Sequence, residues 1–139
     1  YDYPTYLQQL RSGDKVENPV LDFLGMELEE LKEGYARFSM CIRPEFLQAA
    51  GTLQGGLSIA FSSETAAHAV MTTLSPGENV ATIELKNNFL ATASSGRITA
   101  EASVYKRGRK IIIVDSVVRN EKGKDISRGS ATMMVIGAK

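Results

Sequence analysis

Residues 55–74 form a helical pattern with almost no polar face. Leu57, Ile59, Ala60, Phe61, Ala66, Ala67, Ala69, Val70 and Met71 fall on several sides of it, so other structure must wrap this helix. Ser75-Pro76-Gly77 stops it. Four strand patterns follow, at Asn79–Phe89, 96–106, 110–120 and Asp125–Ile136. Asn120-Glu121-Lys122-Gly123 supplies a hairpin turn between the last two, with a glycine free to take positive φ. Upstream, 24–31 and 34–42 read as two more strands. In the second, Tyr35, Arg37, Ser39 and Cys41 alternate with Ala36, Phe38, Met40 and Ile42. The segment 3–10 suits a short amphipathic helix, and 16–23, with Asn18-Pro19, reads as an irregular approach. The expected class is α+β: one long central helix wrapped by a five- or six-stranded antiparallel sheet, arranged as a meander. Residues 1–139 form a single domain, with 1–22 as its N-terminal helix and approach segment. One helix cannot cover both faces of such a sheet, so oligomerisation is expected.

Composition removes several function classes. Lys+Arg and Asp+Glu both number 16, so the formal net charge is zero. No basic field invites nucleic acid or an anionic membrane, and neither is expected as a partner. The single Cys41 excludes an internal disulfide, and one cysteine with one histidine gives no metal cluster. Cys41 itself is expected to be a small buried hydrophobe. His68 is the only histidine, so any serine or cysteine triad would have to use it. The chain has no apolar run of about 18 residues and opens without a signal-peptide pattern, so a cytoplasmic setting is expected.

Gly51-Thr52-Leu53-Gln54-Gly55-Gly56 leads directly into the long helix. A glycine pair at a helix mouth presents bare backbone N–H groups at the positive end of the dipole. That end can hold an anion, or a carbonyl oxygen as it becomes one. Acyl chemistry is the leading idea, with a tight loop-to-helix turn as the plainer reading of the same glycines.

The chain resembles the phenylacetate-pathway acyl-CoA thioesterases of the hotdog fold over roughly 23–136. The resemblance is carried by the glycine motif with its helix, by Ile83-Glu-Leu-Lys-Asn-Asn-Phe-Leu90, by Gly96-Arg-Ile-Thr-Ala-Glu-Ala, by Gly108-Arg-Lys and by Ser130-Ala-Thr-Met-Met-Val135. It implies a homodimer, commonly assembled further into a homotetramer, with active sites at the dimer interface. It also implies hydrolysis of an acyl-CoA to free acid and CoA with no metal or redox cofactor, CoA being part of the substrate. Two positions depart from the family pattern. Gln54 stands where the family usually has His, and Ser63 stands where it has Asp or Glu. The nearby carboxylate, Glu64, is one residue later, a rotation of about 100° on a helix.

On this resemblance Gly55 and Gly56 would polarise the thioester carbonyl, with Gln54 either assisting or acting as a helix cap. Glu64 would act as general base or nucleophile, or a water held by Ser63 and Gln48 would attack instead. His68, four residues beyond Glu64, could pair with it, either in catalysis or structurally. Lys86, Asn87 and Asn88 would line the pantetheine channel, unless lysine merely guards a strand edge. Arg107, Gly108, Arg109 and Lys110 form a basic corner suited to the CoA phosphates, or else a solvated hairpin tip. A non-catalytic acyl-CoA-binding protein that lost the usual His and acid is the alternative reading. A hotdog hydratase is disfavoured, since its acid–histidine pair would rest on His68 alone.

Overall fold

Residues 1–137 are described by the computed structural model. The central helix, α3 (Gly55–Met71), follows α1 (Tyr3–Arg11), α2 (Pro19–Leu24), β1 (Glu27–Lys32), β2 (Tyr35–Cys41) and a single 3-10 turn at Pro44–Phe46. After it come β3 (Asn79–Phe89), β4 (Arg97–Arg107), β5 (Ile111–Arg119) and β6 (Asp125–Ile136). The expected α+β class holds, with six antiparallel strands. α3 lies mainly across β4, β5 and β2. Phe61, Ala69 and Val70 are fully enclosed against Ala36, Phe38, Met40, Ile98, Ile112 and Val114 from those strands. Each large apolar side chain buried this way contributes about 1.5–3 kcal/mol.

The expected meander is corrected at one place. The strand order is β1-β2-β4-β5-β6-β3, so β3 pairs with β6 and stands at the edge. The segment 90–96 is too long for a tight hairpin and crosses to the far side of β5 instead. Backbone bonds hold it on the way: Leu90 and Ala91 N–H to Ile126 O, and Leu53 N–H to Ala93 O.

Smaller corrections have local causes. Residues 16–23 are not wholly irregular. Asn18 caps α2 by accepting from Leu21 N–H, Pro19 sits at the first helical position, and Gly25 ends the helix at φ 69°. α3 stops at Met71 rather than 74, because Thr72 and Thr73 turn their hydroxyls back on the Ala69 and Val70 carbonyls. Thr72 Oγ1 also accepts from Gly34 N–H at 2.7 Å, tying the helix end to the β1–β2 turn. Cys41 is exposed, contrary to expectation. It lies on the outer face with Tyr35, Arg37 and Ser39, where Arg97 Nη1 donates to its sulfur at 3.0 Å.

A closed ring of hydrogen bonds latches the N-terminal segment to α3. His68 is fully buried, and its Nδ1 lies 2.7 Å from the main-chain carbonyl of Glu64. A carbonyl only accepts, so Nδ1 carries the proton and Nε2 must accept from the Tyr6 hydroxyl, 2.8 Å away. Tyr6 in turn accepts from Asn18 Nδ2 at 2.9 Å, and Asn18 Nδ2 reaches Glu64 Oε1 at 3.4 Å. His68 thus pairs with the backbone of Glu64 and not with its carboxylate. Burial holds the imidazole below its ordinary value, opposed by the bond to Glu64.

The β4–β5 corner is braced by Arg107. Its guanidinium bonds Glu78 at 2.9 Å and the Thr73 and Gly108 carbonyls. Gly108 has no room for a side chain, since a Cβ there would stand 2.5 Å from Ile111 O.

Two stability predictions follow from the latch and the brace. The folded state disfavours protonated His68, whereas the unfolded chain takes up that proton near pH 6.5. Stability is therefore level above about pH 6.5 and declines as pH falls below it. Denaturant midpoints measured from pH 8 to 5 should show this decline, and His68→Gln should flatten it. Arg107→Ala should cost about 2 kcal/mol, because Glu78 and the Thr73 carbonyl lose a half-buried partner. Arg109→Ala, at an exposed side chain with no bond among the described residues, should stay within about 0.5 kcal/mol by the same measurement.

Candidate active site

The mouth of α3 is shaped by Gln54 and two glycines. Gln54 is the N-cap, and its Oε1 accepts from Leu57 N–H at 3.0 Å. The side chain folds over Gly56, where a Cβ would stand 2.8 Å from Gln54 Oε1. A Cβ on Gly55 would meet the Phe89 ring at 3.0 Å. The two glycines thus lie close to the capping amide on one side and to an aromatic ring at the end of β3 on the other. Leu57 and Ser58 N–H both reach the Gln54 carbonyl. The Gly55 and Gly56 N–H groups have no partner among the described residues. They stand at the positive end of a 17-residue helix, where donors of this kind stabilise a developing oxyanion.

Beside the mouth is a cavity of about 220 Å³, lined by Gln48, Leu53, Gly55, Ser58, Phe89 and Ala91 among others. Gln48 reaches this cavity, but both ends of its amide are engaged. Oε1 accepts from Ala50 N–H, and Nε2 donates to Thr52 Oγ1. It braces the glycine loop.

The carboxylate expected from sequence does not come to this mouth within one chain. Glu64 lies nine positions beyond Gly55, or roughly 13 Å along the helix axis. Its carboxylate turns toward Asn18 on the flank that carries His68. A base at Glu64 acting on a carbonyl held at Gly55 of the same chain is excluded by that separation. Ser63 lies about 100° round the helix from Glu64. It belongs to a part-exposed stripe of small residues, Gly56, Ala60, Ser63 and Ala67, and its hydroxyl makes no bond among the described residues.

The remaining candidates divide between faces and ends. Lys86 and Asn88 point outward, with Lys86 Nζ donating to Asn88 Oδ1 at 3.1 Å. Asn87 points inward, on the same face of β3 as Phe89. The corner at Arg107, Gly108, Arg109 and Lys110 lies by Glu78 at the opposite end of the sheet. Ten strand steps separate Asn79 from Phe89, so that corner is on the order of 30 Å from the mouth of its own chain. Arg107 is engaged by Glu78, while Arg109 and Lys110 are exposed. The described residues hold no group of three or more His, Cys, Asp or Glu able to take a metal ion. No described helix is long and apolar enough to cross a membrane. Sequence reasoning missed the service of Asn18 and Tyr6. The pair Asn18-Pro19 signals a helix cap, but nothing local signals a contact to residues 46 and 62 positions away.

Comparison with known proteins bears on the same segment. The profile of the Thioesterase superfamily matches residues 50–127, from the glycine loop to the start of β6. A protein of Saccharolobus solfataricus with a provisional esterase name is 30% identical over 99 residues, which are 71% of this chain and 65% of that protein. This chain thus spans slightly less than two thirds of that relative's length. The crystal structure of a Haemophilus influenzae thioesterase superposes with TM-score 0.81 at 27% identity, covering 94% of this chain and 88% of the other. A phenylacetic acid degradation-related protein of Ralstonia eutropha JMP134 gives TM-score 0.86 at 26% identity, covering 93% and 98%. These likenesses support hydrolytic action on thioesters in general, and the architecture is the hotdog fold that the resemblance implied. With the glycine-lined mouth inside the matched segment and the fold shared nearly end to end, the chain belongs to the Thioesterase superfamily.

Proposed function

We propose that this chain hydrolyses the thioester of an acyl-CoA and does so as a homodimer. The observation that carries the reading is the pair of unpartnered N–H groups at Gly55 and Gly56, opening beside a largely apolar cavity. A thioester carbonyl seated there gains hydrogen bonds that strengthen as its oxygen takes up charge. The leaving thiolate needs no further chemistry than a proton from solvent.

The dimer is supported by β3. It is an 11-residue edge strand, exposing Ile83 and Phe89 at 56% each. An unpaired edge of that length favours pairing with a second copy. Antiparallel β3–β3 pairing would set the Phe89 end of one copy beside the Asn79 end of the other. The second copy's Arg109 and Lys110 would then stand near this chain's helix mouth. That arrangement suits a CoA nucleotide, which the corner of the same chain is too distant to meet. The outward stripe of the second α3, with Ser63 on it, would come to the same cleft.

On this reading the attacking water is held by Ser63 of the second copy, while Glu64 anchors the N-terminal segment. Turnover is slow, because a hydroxyl cannot match a carboxylate as a base. A binding protein without turnover is the second reading. It is favoured by the engagement of Glu64 with Asn18 and by the lack of a base beside Ser63.

Thiol release from a panel of acyl-CoAs tests both. Ser63→Asp should raise kcat roughly tenfold or more by supplying a base where the water sits. Glu64→Gln should leave kcat within about threefold and the melting temperature nearly unchanged, because the amide oxygen can still accept from Asn18 Nδ2. Loss of all turnover in Glu64→Gln with the fold intact would reverse these assignments. No thiol release from the native protein, with melting raised by acyl-CoA, would establish the binding protein.

A further inference from the structure

Asn87 carries a side-chain nitrogen that the fold buries without a hydrogen-bond partner among the described residues. It pairs with Gly129 in the β3–β6 ladder and lies two residues before Phe89, whose ring rests on Gly55. The two side chains share the inner face of β3, so the Asn87 amide is about 7 Å along that face from the residue bordering the mouth. The amide lies over Gly129, where a Cβ would stand 2.0 Å from Asn87 Oδ1. A Cβ there would also stand 2.3 Å from the Lys86 carbonyl oxygen, so the neighbouring backbone as well as the amide calls for glycine. Yet Asn87 Nδ2 is buried and has no hydrogen-bond partner among the described residues. Leaving a buried donor unpaired is costly, and an apolar side chain would fill the same hollow without that cost. An unpaired buried donor one step from a reaction site is expected where a bound molecule brings the acceptor.

We propose that Asn87 determines specificity by donating its Nδ2 hydrogen to an oxygen acceptor of the bound thioester, one residue pair along β3 from the helix mouth. This rests on the thioesterase reading above. Two parts of a CoA thioester can bring such an oxygen. One is a hydroxyl or oxo group on the acyl chain. The other is the amide carbonyl of the pantetheine arm beyond the sulfur. A plain aliphatic acyl chain brings none on its own side. Lys86 and Asn88, on the outer face, take no part in this contact.

The test measures kcat/KM of the native protein and of Asn87→Leu, which removes the donor and keeps the bulk. The substrates are octanoyl-CoA, its hydroxylated analogues, octanoyl-N-acetylcysteamine and S-ethyl octanethioate. The variant should lose tenfold or more in kcat/KM wherever the acceptor is present, while its melting temperature holds or rises. A loss that follows the acyl hydroxyl assigns the contact to the acyl chain. A loss common to the CoA and N-acetylcysteamine esters, and absent for the ethyl ester, assigns it to the pantetheine amide. Equal kcat/KM for variant and native protein across the panel overturns the proposal. So does a lower melting temperature with a change in oligomer size, which would mean that a second copy holds the amide. If the native protein releases no thiol from any compound, the thioesterase reading has failed. The inference is then decided by whether Asn87→Leu loses the melting shift that the same compounds give the native protein.

Discussion

Phe61, Ala69 and Val70 have no exposed surface, and almost every other side of α3 carries apolar or small residues. A helix with so little polar surface is stable only inside a trough, and the curve of β2, β4 and β5 supplies it. Everything else about the chain follows from how that trough is filled. Because α3 occupies three of six strands, β6 and β3 are left extending beyond the helix. Because the segment entering the helix is held against the β3–β4 crossover by Leu53 N–H to Ala93 O, the first turn opens beside Phe89 at the sheet's far margin. The packing constraint thus delivers the donor end of the helix dipole to a place where a substrate can reach it.

The same constraint separates the pieces of the site. A helix of 17 residues spans about 25 Å. The mouth, the middle of α3 and the β4–β5 corner therefore lie at three stations along one axis. No side chain is long enough to join them in one chain. A second copy running the opposite way along β3, as proposed above, would bring unlike stations together, so the proposed dimer has a chemical argument beside the apolar one.

The long-period features were legible in the sequence. The apolar helix, the exact spans of β3 and β6 and the alternation of Arg37 and Ser39 with Phe38 and Met40 follow from periodicity and turn residues. Cys41 was misjudged although the same alternation placed it outside. Its type suggested burial, and its register decided otherwise. Strand order was not legible, since antiparallel patterning says nothing about which edges meet. The role of Glu64 was not legible either. Its spacing to His68 suggested a side-chain pair, but the imidazole found the nearer main-chain carbonyl four residues back. The carboxylate went to Asn18, which is distant in sequence.

Partnering separates the structural polar groups from those open to a ligand. Gln48, Gln54 Oε1, His68 and Arg107 look chemical in the sequence, and each has its bonding answered by the fold, while Glu64 receives one bond, from Asn18 at 3.4 Å. The Gly55 and Gly56 N–H groups and Asn87 Nδ2 have none among the described residues. A buried donor left unanswered, such as Asn87 Nδ2, is costly in a folded protein, while the first N–H groups of any helix are left free by its geometry. Gly55, Gly56 and Asn87, two residues before Phe89, share the end of the sheet where the helix dipole is positive, whereas Arg43 Nε, also buried without a hydrogen bond among the described residues, faces Glu45 at 3.6 Å. Free donors at that end of the helix suit the proposed thioester site, since hydrogen bonds there strengthen as an oxyanion forms.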